Sequence, residues 1–312
     1  MPPPPVRPLD DIRTIIAGLP AADRAAVAAL RERRLGSPAG ELGAFEDILA
    51  WLAAWQGKDP PTASRPQIVV FAGNHGVAAR HRRGGAAREI AALAAGTTTL
   101  NRLCQANGIG LKAFDLALET ATADSARAPA MSEVECAATI AFGMEAAAGN
   151  VDLLAVSGIG DGSALAAAAI GRSLFGGMVP SWLDRRARAG TAEKVADAVG
   201  RHLPAADDVV DLARRLGGRE TAAIIGAILA ARIARVPVLV DGLAATVAAA
   251  LLQAAAPAAI DHCRFTQPAA GRVHRRLLDA IGARPVLDTA PAGPGIGSVL
   301  AIAAIKAMVA AA

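Results

Sequence analysis

From Ile68 onward, short apolar runs that close on Gly or Asp take turns with longer alanine-rich stretches. Such runs do not alternate apolar with polar residues, so they predict strands covered on both faces of a sheet. Six strands are expected: "IVVFAG" (Ile68 to Gly73), "GLKAFDL" (Gly110 to Leu116), "VDLLAV" (Val151 to Val156), "VPVLVDG" (Val236 to Gly242), "PAAIDHC" (Pro257 to Cys263) and "RPVLDT" (Arg284 to Thr289). Helical segments separate most of them, as crossovers between parallel strands require. Upstream, "ELGAFEDILAWLAAWQG" sets Leu42, Phe45, Ile48, Leu49 and Leu52 at helical spacing, with acids in the first turns and Gly57 past the end. "KDPPTASRPQ" is the clearest linker. The fold class predicted is α/β: a Rossmann-like, six-stranded parallel sheet with helices on both faces.

Two later segments are apolar enough to need cover. "RETAAIIGAILAARIAR" (Arg219 to Arg235) is apolar around almost its whole circumference and charged near its ends. It reads as a buried helix with Glu220 at the positive N-terminal pole and Arg232 and Arg235 at the negative C-terminal pole. "SVLAIAAIKAMVAAA" at the C-terminus must pack on the body or on a second chain.

Composition narrows the function classes. Hydrophobic residues make up 53% of the 312-residue chain but aromatics only 3%, with no Tyr, so the core must be built from Ala, Leu, Ile and Val. That length suggests one large domain with an appendage. The longest uncharged run, Gly242 to Ile260, holds Gln253 and Pro257 and is mostly alanine, which favours a helix inside protein over one in lipid. No membrane association is expected, and "MPPPPVRPLDD" has no apolar signal core, so a cytoplasmic protein is expected. Cys104, Cys136 and Cys263 are odd in number and lack CxxC spacing, which implies neither a disulfide framework nor zinc. The net charge of +4 is mild, and "RHRR" (Arg80 to Arg83) has few aromatics around it, so nucleic acid is not expected as a partner and an anionic small molecule suits the charge equally well.

Ligands of a doubly wound sheet gather where strands end and helix N-termini point outward. There the sequence places Asn74 and His75, then Asp161 and Ser163 in "SGIGDGS", then Asp241, Asp261 with His262, and Asp288 before "APAGPGIGS". Gly158, Gly160 and Gly162 let bare backbone approach a phosphate. The same spacing equally describes a tight strand-to-helix turn that needs positive φ, and it matches neither a Walker A loop nor GxGxxG. Asp161 would repel a phosphate unless it points away. His75 is a candidate acid/base group or a structural hydrogen-bonding residue. Neighbours in "DHC" alternate faces on a strand, so they read as structural and no metal site is expected.

The order and wording of these blocks resemble one family, the nicotinate-nucleotide:dimethylbenzimidazole phosphoribosyltransferases of the lower-ligand branch of cobalamin synthesis. The resemblance runs from about Gly40 to the C-terminus. "VVFAGNHGVAAR" is similar to the family's first strand, written AGDHGV, and "RRLGGRETAAIIGAILAARIARVPVLVDG" to its LGGxExAAMxGA…PVLLDG segment; "DHC" and "HRRLLDAIGARPVLD" continue the match. The resemblance implies transfer of phosphoribose from nicotinate mononucleotide to a benzimidazole, with no cofactor. It implies a homodimer, and a small helical domain of residues 1–62 joined by 298–312 beside a nucleotide- and base-binding domain of residues 63–297. Lys194 falls where the family has a lysine associated with phosphate contact. The phosphate and nucleotide set carried over is Gly158, Gly160, Gly162, Ser163, Lys194, Gly293, Gly295 and Gly297, with Asn74 and His75 at the base.

The wording departs from the family where acids are expected. The turn GEMGIGNTT is here "SGIGDGSAL", so its glutamate falls on Gly158 and its Asn-Thr-Thr on Ser163, Ala164 and Leu165. The glutamate of RLGEGTGA becomes Pro294 or Gly295, and the family's His, Ser and Glu before its GH pair become Gln267, Ala269 and Gly271. Two readings follow, beside a third, another transfer reaction on an altered substrate, that the sequence does not separate from them. In one, the chain is an active phosphoribosyltransferase that recruits Asp161, Asp241 or His75 as proton acceptor. In the other it is a catalytically silent relative that binds a nucleotide or base and regulates or scaffolds, and weak or absent turnover is the expectation.

Overall fold

The structure is a computed structural model and describes residues 7–35, 43, 45–81, 84–185, 187–268, 271–289 and 293–311. Helices α1 (Asp10–Ala17), α2 (Arg24–Arg33) and α3 (Phe45–Gln56) precede strand β1 (Pro66–Ala72). α4 (Gly85–Ala94) and α5 (Thr99–Asn107) lead to β2 (Gly110–Asp115), and α6 (Glu133–Ala147) leads to β3 (Leu153–Ile159). α7 (Ser163–Phe175), α8 (Thr191–His202), α9 (Val209–Leu216) and α10 (Arg219–Ile233) come before β4 (Val238–Asp241). α11 (Gly242–Ala255), β5 (Cys263–Phe265), α12 (Arg272–Ala280) and α13 (Ile296–Ala311) complete the order.

The strands are parallel in the order β2-β1-β3-β4-β5. The chain winds one way from β1 to β2 and the other way from β3 to β5, so the topological switch point lies between the carboxyl ends of β1 and β3. Successive strand residues feed opposite layers. Val69, Phe71, Leu154, Val156, Val238 and Val240 join the core beneath α6, α7, α10 and α11. Ile68, Val70, Leu153, Ala155 and Leu239 join the core beneath α3, α4, α5 and α13. Both faces are covered, and the apolar C-terminal helix packs on the body through Val299, Ile302 and Ile305.

Alanine and glycine set the helix spacing. α10 is buried along most of its length and crosses α6 so closely that a Cβ on Gly143 would overlap the Ala223 carbonyl, and one on Gly226 the Ile140 carbonyl. Its poles carry the expected charges: Glu220 lies in the first turn, and Arg232 stacks 4.0 Å above Trp55 while donating to Pro20 O. The linker is pinned. Asp152 accepts hydrogen bonds from Thr62 Oγ1, Ser64 N, Ser64 Oγ and Arg65 N, which fastens it to the start of β3.

Two expected strands differ. Five strands form among the described residues, and the segment from Arg284 contributes a bridge between Phe265 and Pro285 with hydrogen bonds from Val286 N to Phe265 O and from Leu287 N to Thr266 O, short of a strand. Pro285 has no N–H to extend a ladder. "PAAIDHC" is mostly a 3₁₀ turn over Pro257–Ile260, which leaves Asp261 and His262 at the amino end of β5 and away from the ligand edge. Pro257 presets the φ of that turn. His262 is buried and bonds through Nε2 to Ile228 O, a structural role. Leu42, Arg82, Arg83 and Ala269 lie outside the described residues, and no described helix is long and apolar enough to cross a membrane.

Candidate functional site

Two adjoining cavities open at the carboxyl ends of the central strands. One, of about 610 Å³, is lined by Gly160, Asp161 and Gly162 after β3 and by Arg188, Thr191 and Lys194 at the start of α8. The other, of about 330 Å³, is lined by Ser157, Gly158, Asp241, Gln267, His274 and Pro294. Both touch Ala164, Asp184 and Val273. A larger groove of about 990 Å³ runs between α3 and β5 and shares no lining residue with either; chemistry, and not size, singles out the pair at the strand ends.

The glycine turn joins β3 to α7 under tight packing. Gly162 has φ +107, and a Cβ there would lie 2.8 Å from the Cβ atoms of His75 and Ala78. A Cβ on Gly158 would lie 2.7 Å from Ala244 Cβ and 3.0 Å from Ile224 Cδ1. Small size at these positions is therefore demanded by packing as well as available to a ligand.

Asn74 and His75 stand behind this turn and line neither cavity. Asn74 donates to Leu118 O and accepts from Asp161 N, which ties the β1 end to the β3 end. His75 Nε2 lies 2.6 Å from Glu220 Oε1, and Ser163 Oγ donates to the same oxygen at 3.0 Å. Glu220 is fully buried, and its Oε2 has no hydrogen-bond partner among the described residues. The position of Glu220 at a helix N-terminus was legible in the sequence, but its meeting with His75 and Ser163 joins three distant segments and was not.

Asp241 ends β4 and is also fully buried. Its Oδ1 accepts from Thr266 Oγ1 and Gln267 Nε2, and its Oδ2 accepts from Ser298 N and Ser298 Oγ. Burial pushes its carboxyl above the ordinary range, and these donors oppose that rise. Four donors occupy its lone pairs, so the residue clamps α13 and the loop after β5 to the end of β4. Asp161 lines the larger cavity with Oδ1 turned toward the start of α4.

Lys194 Nζ donates to Val77 O at 2.9 Å and retains two further donors beside the larger cavity. Pro294 brings the late glycine-rich segment to the smaller cavity, so the two glycine turns meet at one site. Gly293, Gly295 and Gly297 line neither cavity: Gly295 is packed on Leu100 and Gly297 on Gln267.

Sequence reasoning passed over Asp184, Arg188 and His274. Asp184 borders both cavities and accepts from Arg272 N at the start of α12. His274, on α12, lines the smaller cavity, and burial lowers its pKa to about 4. "WLDRR" carried no motif to mark Asp184, whereas His274 opened a quoted block and could have been singled out.

A family model described as Phosphoribosyltransferase matches residues 19–312. The chain belongs to that phosphoribosyltransferase family. It is 47% identical to the nicotinate-nucleotide–dimethylbenzimidazole phosphoribosyltransferase of Brucella anthropi over 318 residues, covering 96% of this chain and 92% of the relative. The protein of that name from Brucella melitensis biotype 2 is also 47% identical, with the same coverage. Among solved structures, CobT from Thermus thermophilus superposes with a TM-score of 0.81 at 28% identity, covering 95% of each chain. A second structure from that organism, a nicotinate-nucleotide-dimethylbenzimidazole phosphoribosyltransferase, has a TM-score of 0.79 at 29% identity and covers 92% of this chain and 95% of its own. The phosphoribosyltransferase fold, with its parallel sheet and helical layers, is thus shared along nearly the whole chain.

Proposed function

We propose that this phosphoribosyltransferase transfers phosphoribose from nicotinate mononucleotide to a benzimidazole-type base, in the cytoplasm and as a homodimer. The observation that carries the reading is 47% identity over 96% of the chain to relatives named for that reaction. The site is compatible in size and chemistry. Lys194, Arg188 and the N-terminus of α8 give the larger cavity a cationic wall suited to a phosphate. The adjoining cavity has apolar walls with a few polar groups, which suits a flat aromatic base. Gly158, Gly160 and Gly162 form part of the wall of these cavities, Asp241 lines the smaller one, and Asn74, His75 and Ser163 hold the glycine turn from behind. Three buried unpaired cysteines fit a reducing compartment.

The reaction needs a group that accepts the proton of the attacking base and an environment that tolerates positive charge on the ribose. Gly158 and Pro294 supply neither, whereas Asp184 and Asp161 place carboxylates on the cavity walls. Purified protein incubated with nicotinate mononucleotide and 5,6-dimethylbenzimidazole is expected to form α-ribazole phosphate and free nicotinate, read by chromatography. No product at high enzyme concentration, together with a melting shift by nicotinate mononucleotide, would leave only the silent-relative reading. Light scattering checks the dimer.

A further inference from the structure

His274 faces the base-sized cavity, the hydrogen-bond roles of its ring follow from its neighbours, and it belongs to no role assigned above. Thr246 Oγ1 donates its single proton to Gly242 O at 2.9 Å, one helical turn back on α11. With the proton placed there, the hydroxyl accepts from His274 Nε2, which lies 3.0 Å away, and this assigns the ring tautomer. His274 therefore carries its proton on Nε2, and the lone pair sits on Nδ1. Nδ1 has no partner among the described residues and is not among the polar atoms sealed inside protein, while His274 lines the smaller cavity. Burial keeps the ring neutral at any pH above about 4. The cavity thus contains a fixed, uncharged nitrogen acceptor with its orientation set from α11.

We infer that His274 Nδ1 is the acceptor for the ring N–H of the incoming nitrogen base, which makes the site select azoles that carry both an N–H and a second ring nitrogen with a free lone pair. The inference rests on the proposed transfer reaction. In it, the free ring nitrogen forms the bond to the anomeric carbon as the bond from that carbon to the nicotinate nitrogen breaks, and the electron pair leaves with nicotinate. The N–H of the resulting azolium, more acidic than that of the neutral base, gives its proton to Nδ1, and the imidazolium, which burial disfavours, is a short-lived carrier that passes the proton on to water. The positive charge of the pyridinium passes to the azolium, then to the histidine, and leaves the site with the proton. Thr246 is a positioning residue in this scheme, because it acts only through the ring it orients.

The test uses the full chain and two probes, 5,6-dimethylbenzimidazole and its N-methyl derivative, which keeps the lone pair and lacks the N–H. Calorimetry is expected to show at least about tenfold tighter binding of the N–H base, because the methylated base leaves a buried acceptor unpaired. His274→Leu should abolish the preference and His274→Asn, whose Oδ1 takes the place of Nδ1, should restore part of it. Thr246→Val should reduce it without touching the cavity, by releasing Nε2–H and letting the proton move to Nδ1. Nitrogen NMR of ¹⁵N-histidine protein should show the Nε2–H tautomer for His274, and this measurement decides should a variant fail to fold. Equal affinity for the two bases in the unsubstituted chain, or an Nδ1–H tautomer, overturns the inference while the transfer reaction stands. Failure to bind either base overturns both.

Discussion

Glu220 and His75 meet within the protein: Oε1 of one lies 2.6 Å from Nε2 of the other, and each side chain is almost wholly withdrawn from solvent. The pair fastens the start of α10 to the loop after β1, and Ser163 joins it from the start of α7. Three helix or strand ends are thereby locked behind the glycine turn.

Removing one partner strands the other. Glu220→Ala is expected to destabilise the fold by about 3–5 kcal/mol, as measured for buried pairs broken on one side. A urea midpoint that falls with unchanged slope would show it. An unchanged midpoint would mean the pair contributes nothing to holding the turn.

The wall around Gly158 leaves no room for a side chain. Gly158→Ala would set its Cβ 2.7 Å from Ala244 Cβ, and is expected to cost about 1–3 kcal/mol from overpacking. Gly158→Glu, which reinstates the acid that the family resemblance places there, should be more disruptive still and give no gain in turnover by itself. Pairing Gly158→Ala with Ala244→Gly should recover part of the lost stability in a thermal melt, because it removes the nearest of the two contacts while Ile224 Cδ1 stays 3.0 Å away and α11 gains a glycine.

Lys194 lies beside the larger cavity with one bond to Val77 O. Lys194→Met is expected to weaken nicotinate mononucleotide binding by about tenfold or more, the size of a charge-assisted bond. The ligand-induced rise in Tm should shrink accordingly, while the melting temperature without ligand changes by only a few degrees.

Stability should fall in mild acid. Burial holds His274 at a pKa of about 4 and His262 at about 3, against an ordinary value of 6.5. Below pH 6.5 the unfolded chain binds protons that the folded chain refuses, so the folded state loses ground as pH drops from about 6.5 to 4, and further to 3 for the His262 share. At about 1.36 kcal/mol per pKa unit, His274 alone contributes on the order of 3 kcal/mol to this loss. Chemical denaturation between about pH 7.5 and 4.5 checks the sign, and a flat profile would contradict neutral, buried histidines.

The legible part of the fold was whatever a short stretch of chain decides alone. β1, β2, β3 and β4 emerge close to their expected places, because an apolar run ending in Gly or Asp has few alternatives once both faces are covered. The expected strand from Pro257 fails because proline and alanines favour a 3₁₀ turn, and the one from Arg284 because a ladder depends on a neighbour and on an N–H that Pro285 lacks.

At the site, the glycine turn and Asp241 could be placed from sequence by their positions at element ends, and Lys194 by the family resemblance alone. The role of Asp241 as a clamp, the pairing of Glu220 with His75 and the contact of His274 with Thr246 could not. Hydrophobic periodicity and turn chemistry are properties of neighbours along the chain, so the amino-acid sequence by itself determined the α/β class, the buried helix from Arg219 and the sheet edge at which the two cavities open. Hydrogen-bond partners and steric room depend on residues far apart in sequence, such as Asp241 with Ser298 or Gly158 with Ala244, and only the packed tertiary structure decided which of them meet.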